Sequence, residues 1–381
     1  MLRKILSFAA LLLAASVAMG QPDSSLHSGW HWSLNATTFF RDAEFFLPEA
    51  KGYTMSGFRL TPTIDYHSSQ FSFSGGIRLS GIAGSHQFAH AAPVLSIVYH
   101  PSQWLSLTMG TLQSDAHHHL GEPLYDLERW YWDYQEDGLQ ITTNTHFWNS
   151  DTWINWENFL QPWTPDQERF TLGSAHEFNV LTSYNYDNEF GKYNVIEVTT
   201  PLAFIGCHRG GQFSTLDTCI ETLFNESVGL KIAYRPSSNK CFHLNIPWYF
   251  YQNKSPLKER YTPFDEGHAF HPQFQCSFKP RRDTLASYCA SFGYYHGHQY
   301  ISPRGSYLFQ SISWFDPFFS EADRQMLTSN ISITKRVSAF SINLNAQFYY
   351  DLEQKKLDFA VGLVMDFGKR VNLGRKSFNN Y

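Results

Sequence analysis

The chain has 381 residues, of which 43% are hydrophobic, 17% aromatic and only 17% charged, and its formal charge is -5. Disordered chains lack rings and carry strong net charge, so disorder is excluded, and the slight acidity gives no reason to expect nucleic acid as a partner. A helical membrane bundle is excluded too, because past the N-terminus no window approaches the roughly 18 uncharged apolar residues that a spanning helix needs.

Residues 1–20 read as a secretory signal peptide. Arg3 and Lys4 precede an apolar run from Ile5 to Val17, and Ala18-Met19-Gly20 supplies small residues for cleavage before Gln21. The mature chain then alternates. In Phe340-Ser341-Ile342-Asn343-Leu344-Asn345 one parity is apolar and the other polar, the mark of a half-buried strand. Phe71 to Leu79 and Phe242 to Ile246 repeat the pattern, and no long stretch has helical periodicity. The chain is all-β. The alternation predicts about sixteen strands, near 30–39, 57–66, 70–80, 92–100, 103–112, 138–148, 152–160, 170–186, 192–205, 226–235, 240–251, 270–279, 284–296, 326–335, 338–350 and 357–368. Many reach the roughly 9–11 residues that a tilted strand needs to cross a bilayer.

Short turns such as 67–69, 101–102, 149–151, 236–239 and 281–283 alternate with long loops at 40–56, 113–137, 206–225, 252–269 and 297–325. Short periplasmic turns at one end and long outer loops at the other predict a transmembrane antiparallel up-and-down β-barrel over residues 21–368. A periplasmic tail is expected over 369–381. The apolar parity often places a ring beside a short turn (Tyr66, Phe71, Tyr99, Phe147, Tyr186, Tyr234, Phe242, Phe278, Phe340), as an interfacial girdle requires. A soluble sandwich core also takes aromatics, but it does not predict them at one end of so many strands.

Gly362-Leu363-Val364-Met365-Asp366-Phe367 resembles the terminal signal by which the barrel assembly machinery recognises outer-membrane barrels. The mature chain resembles the sixteen-stranded porins of Gram-negative outer membranes. Met109-Gly110-Thr111-Leu112, Glu122-Pro123-Leu124-Tyr125, Asp137-Gly138-Leu139-Gln140 and Trp153-Ile154-Asn155-Trp156-Glu157 are also similar to porin-type proteins of Bacteroidetes. The resemblance implies an outer-membrane channel for passive diffusion of small hydrophilic solutes. It also implies contact with outer-membrane lipid, homo-oligomerisation, and a loop after the fifth strand that folds into the lumen.

That loop, 113–137, carries Asp115, Glu122, Asp126 and Glu128 together with Tyr125, Trp130, Tyr131, Trp132 and Tyr134. Strand parity turns Arg59, Arg78 and Lys231 away from the lipid-facing set, so acids and bases would oppose each other across a pore constriction. The other reading leaves the loop on the surface with its charges solvated. Its rings make a sugar a reasonable solute. Cys207 and Cys219 fall in one expected outer loop and predict a disulfide worth about 3 kcal/mol, whereas parity keeps Cys276 and Cys289 apart and leaves Cys241 alone. His117-His118-His119 beside Glu122 offers metal-type ligands, but three adjacent side chains cannot easily face one ion, so neither a metal nor another cofactor is expected. No nucleophile elbow, phosphate loop or dinucleotide fingerprint appears. A barrel lipase needs Ser and His to meet on the lipid-facing wall, and the apolar parity offers no such pair. The sequence therefore predicts a channel and not an enzyme, the alternatives being an adhesin, a lipase-type barrel or a secreted glycan-binding sandwich.

Overall fold

The computed structural model describes residues 28–85, 90–113, 118–159, 167–187, 192–210, 220–237, 239–255, 262–280 and 285–372; residues 1–20, expected to be a signal peptide, lie outside them. The strands, in order, are β1 Gly29–Glu44, β2 Tyr53–His67, β3 Phe71–Ile82, β4 His90–Ser102, β5 Leu105–Thr111, β6 Asp137–Asn144, β7 Trp148–Asn158, β8 Glu168–Asp187 and β9 Lys192–Gly210. They continue as β10 Glu221–Ser237, β11 Lys240–Asn253, β12 Glu266–Phe270, β13 Gln273–Phe278, β14 Ala286–His298, β15 Asp323–Val337, β16 Phe340–Asp351 and β17 Lys356–Asn372. One short helix, α1 Arg129–Trp132, interrupts the long loop after β5.

All strands pair antiparallel in sequence order, and β1 pairs with both β2 and β17, which closes the sheet. Closure removes every free edge, the condition for β-structure inside lipid. β12 and β13 are the two halves of one crossing, since both pair with β11 and β14. The break falls at His271-Pro272, where proline has no N–H to give to the ladder. The barrel therefore crosses sixteen times, at the positions the alternation predicts.

The apolar parity faces outward. Phe340, Ile342 and Leu344 are exposed along β16, while Gln347 and Tyr349 on the other parity are buried. At the short-turn end the outward rings pair across strands: Phe71 stacks on Tyr99 at 4.8 Å, Trp30 meets Tyr66 at 5.1 Å and Phe340 meets Phe367 at 4.9 Å. This closed, ring-girdled barrel resides in a Gram-negative outer membrane.

Several strands outrun their apolar alternation. β9 continues to Gly210 and β10 begins at Glu221, so Cys207 stands in a strand and not in an outer loop. Backbone pairing needs no apolar side chains once a strand has left the hydrocarbon, so the ladder continues where the sequence pattern fades. Cys219 lies outside the described residues, and with it the expected Cys207–Cys219 disulfide. Cys276 and Cys289 are unbonded, and the Cys289 sulfur accepts from Gln275. β17 runs to Asn372 and pairs with β1 there, taking the first four residues of the segment expected as a tail.

The main apolar cluster fills the lumen on the long-loop side. It joins Leu124 and Tyr125 of one loop, Tyr300, Ile301, Leu308 and Phe309 of another, and inward side chains of the wall such as Trp153, Tyr249 and Tyr295. Arg324 of β15, fully buried, pins the first outer loop through Glu49 at 2.7 Å and meets Asp351 of β16 at 2.9 Å. Buried charges persist where each finds its counter-ion.

Candidate functional site

Two inward loops form the lumenal site. Residues 118–136 and 299–322 join through backbone and side chains: Asp126 N–H donates to Arg304 O at 2.6 Å, Tyr300 hydroxyl to Pro123 O at 3.1 Å and Ser302 hydroxyl to Leu124 O at 3.2 Å. Of the two readings left open by the sequence, the loop after β5 takes the inward one.

His118 anchors that loop to the wall. Its Nδ1 lies 2.7 Å from Asp151 of β7, its Nε2 lies 2.5 Å from Glu136, and its ring stacks on Trp153 at 3.5 Å. Burial opposes charge on the imidazole, but hydrogen bonds donated to Asp151 and Glu136 outweigh it and raise the group to about 9. His118 and His119 both stand in the left-handed region, at φ 47° and 58°.

The residues expected at a constriction are dispersed. Asp115 lies outside the described residues. Glu122 accepts from the Tyr349 hydroxyl of β16, and burial raises it to about 7. Asp126, one turn on, is raised by burial to about 6. Glu128 pairs with Arg41 of β1, a base that sequence reading did not single out, and also accepts from Tyr53. Arg59 and Arg78 do face the lumen, but they flank the Tyr134 ring at 3.8 and 4.8 Å and meet no carboxylate among the described residues. Lys231 lies on the far wall, 3.0 Å from Glu177, beside a polar cavity of about 790 Å³ in the short-turn half of the barrel.

A second constellation stands on the opposite face of the wall. Parity on β14 runs outward through Tyr288, Phe292, Tyr294, His296 and His298, because Tyr295 on the alternate set is buried in the lumen. Register places Phe250, His268, His298 and Asp323 in one lateral row across β11, β12, β14 and β15. The row directly below holds Trp248, Phe270, His296 and Gln325, with Trp248 and Phe270 rings 5.0 Å apart. His298 Nδ1 meets Asp323 Oδ1 at 2.6 Å, and the His268 ring lies 5.5 Å away. His298 ends β14 and Asp323 opens β15, so the pair sits at the outer rim above an aromatic band. Its Nε2 has no hydrogen-bond partner among the described residues. A carboxylate on Nδ1 fixes the tautomer and leaves Nε2 able to take a proton.

Sequence reading missed this pair because it ended the strand at 296 and gave 297–325 to a loop. Extending the Tyr288-Ala290-Phe292-Tyr294 parity by two steps would have put His296 and His298 on the lipid side.

Solved structures of similar fold are outer-membrane proteins. OccAB4 of Acinetobacter baumannii aligns with TM-score 0.50 and 11% identity over 92% of this chain and 100% of that one. A loop-deletion form of OmpT from Vibrio cholerae gives 0.51 and 8% over 89% and 98%. OccK2 (OpdF) of Pseudomonas aeruginosa, solved in complex with glucuronate, gives 0.52 and 9% over 91% and 100%. These likenesses show the fold. No curated protein matches the chain. The family model described as lipid A 3'-O-deacylase-type matches residues 22–376. That match corrects the expectation that the protein is not an enzyme, since the family is named for cleaving an acyl ester: the chain belongs to the lipid A 3'-O-deacylase-type family.

Proposed function

We propose that the protein hydrolyses an acyl ester of lipid A-type lipids at the outer rim of its lipid-facing wall. The observation that carries this is the His298–Asp323 pair, an oriented imidazole whose other nitrogen has no partner among the described residues, on the side that meets lipid. The ester groups of an outer-leaflet lipid lie between headgroup and hydrocarbon, the level of an outer aromatic band. His298 Nε2 takes a proton from water as the water oxygen bonds to the ester carbonyl carbon. The tetrahedral intermediate then breaks its bond to the sugar oxygen, which leaves with the proton returned by the imidazolium. The products are a free fatty acid and a sugar hydroxyl, and Asp323 steadies the imidazolium between the two steps. The packed loops in the outer lumen fit this reading, because they leave the rim and wall as the reactive surface.

The test is mass spectrometry of lipid A from outer membranes holding the protein or its His298→Ala variant. Loss of one ester-linked acyl chain with the native protein only is expected. Unchanged lipid A beside a folded barrel, judged by its heat-dependent gel migration, sinks the reading.

The polar cavity of about 790 Å³ in the short-turn half favours a second reading, passage of small hydrophilic solutes, sugars among them. Planar-bilayer conductance tests it. Channels that widen on deletion of 113–137 support it, and absence of conductance from both forms removes it.

A further inference from the structure

We propose that the cavity at the long-loop end between β2, β3, β4 and α1 binds an acidic sugar, a pyranose carrying phosphate or carboxylate, with Arg59 holding its oxyanion. The cavity measures about 470 Å³, inside the roughly 300–1,000 Å³ range of small-molecule sites. Its walls bring together the rings of Phe39, Tyr131 and Trp132 with Arg59, Ser80 and His90. Trp132 is 48% exposed, an open indole face for the apolar side of a sugar ring.

The charge arrangement names the sign of the ligand. Arg59 is 7% exposed and has the faces of Trp130 and Tyr134 at 4.5 and 3.8 Å. Its one hydrogen bond among the described residues runs from Nη2 to Trp130 O at 3.0 Å, leaving the rest of its five donors without an acceptor there. Arg78 shares Tyr134 and donates to the neutral Gln135. Two guanidinium groups therefore flank one ring with no carboxylate paired to either among the described residues. The neighbouring acids Asp366 and Asp137 attract Arg59 and Arg78 only from a distance, and their hydrogen bonds go to Thr37, Thr111 and Gln135. A buried guanidinium with no direct ion pair and most of its donors unpaired is unfavourable, and an oxyanion entering the cavity would supply the partner. Rings alone would accept a neutral sugar. The guanidinium without a direct ion pair among the described residues selects an acidic one.

This inference does not need ester hydrolysis, because it concerns equilibrium binding only. The experiment is calorimetric titration of the detergent-purified full-length protein with glucose 1-phosphate, glucose and inorganic phosphate. Glucose 1-phosphate should bind at least about ten-fold more tightly than glucose, as loss of a charge-assisted hydrogen bond implies. Arg59→Gln should bring it to the level of glucose, Trp132→Ala should weaken it several-fold, and Lys231→Gln should leave it unchanged. Equal binding of the two sugars, binding of neither, or full affinity in a folded Arg59→Gln protein overturns the proposal. Should Arg59→Gln not fold, undiminished binding by Trp132→Ala overturns it as well. Lipid A in micelles that displaces glucose 1-phosphate identifies the membrane as the source of the sugar, and failure to displace identifies a soluble one.

Discussion

Among the described residues stand two histidine–aspartate pairs that the same chemistry has put to opposite uses. His118 lies inside the lumen with a carboxylate on each ring nitrogen and an indole stacked beneath it. Both nitrogens are taken, so the imidazolium is a fastener and has no site left for a proton. His298 lies outside, with Asp323 on one nitrogen and the other without a partner among the described residues. One carboxylate orients an imidazole, whereas a second immobilises it. Burial separates them further: His118 and Glu136 are enclosed, while the His298 and Asp323 side chains are 40% and 63% exposed, where water can reach them.

The comparison breaks most readily at the outer pair. His298→Ala should lower acyl release from lipid A by about 10²–10⁴-fold, the usual contribution of a general base, with heat-dependent migration intact. Asp323→Asn should lower it less, because the imidazole remains. A full rate in His298→Ala would remove the distinction between the two histidines.

The inner pair is a matter of stability. His118→Ala leaves the Glu136 and Asp151 carboxylates facing each other in the lumen. Breaking a buried pair from one side costs about 3–5 kcal/mol, which urea unfolding would register as an earlier transition. An unchanged midpoint would show that the loop is held by its apolar contacts alone.

Titration sharpens the same point. The folded group is raised to about 9 from an unfolded value near 6.5, so the protein binds the proton more tightly when folded. Its contribution is complete below about pH 6.5 and is lost as pH rises through about 9. Trp153, stacked on the ring, should report the change in fluorescence between those values. The His118→Ala protein should lack that step.

The smallest effect is expected at Lys231. Its pair with Glu177 is half-exposed beside a water-accessible cavity, and such pairs contribute about 0–1 kcal/mol. Lys231→Gln should move neither unfolding nor lipid A cleavage.

Much of the barrel was legible because a lipid-facing wall imposes strict alternation on the sequence. Phe340 to Tyr350 shows its outward and inward faces residue by residue. The wall positions of Arg59, Arg78 and Lys231 were legible for the same reason. The Glu128–Arg41 and His118–Asp151 pairs were not, being 87 and 33 residues apart, since loops carry no periodicity to fix their partners. The outer row of His268, His298 and Asp323 escaped because the strands continue past the hydrocarbon, where polar side chains replace the apolar signal.

The alternation of apolar and polar residues, punctuated by short turns and long loops, determined the architecture by itself. Half of each strand must satisfy lipid, and that demand is local, so it is written locally. Tertiary structure alone decided which carboxylate meets which base, that outer loops pack into the lumen, and that an imidazole at the rim keeps one nitrogen without a partner among the described residues. Those outcomes depend on register around a closed sheet, a long-range quantity that no short stretch of sequence contains.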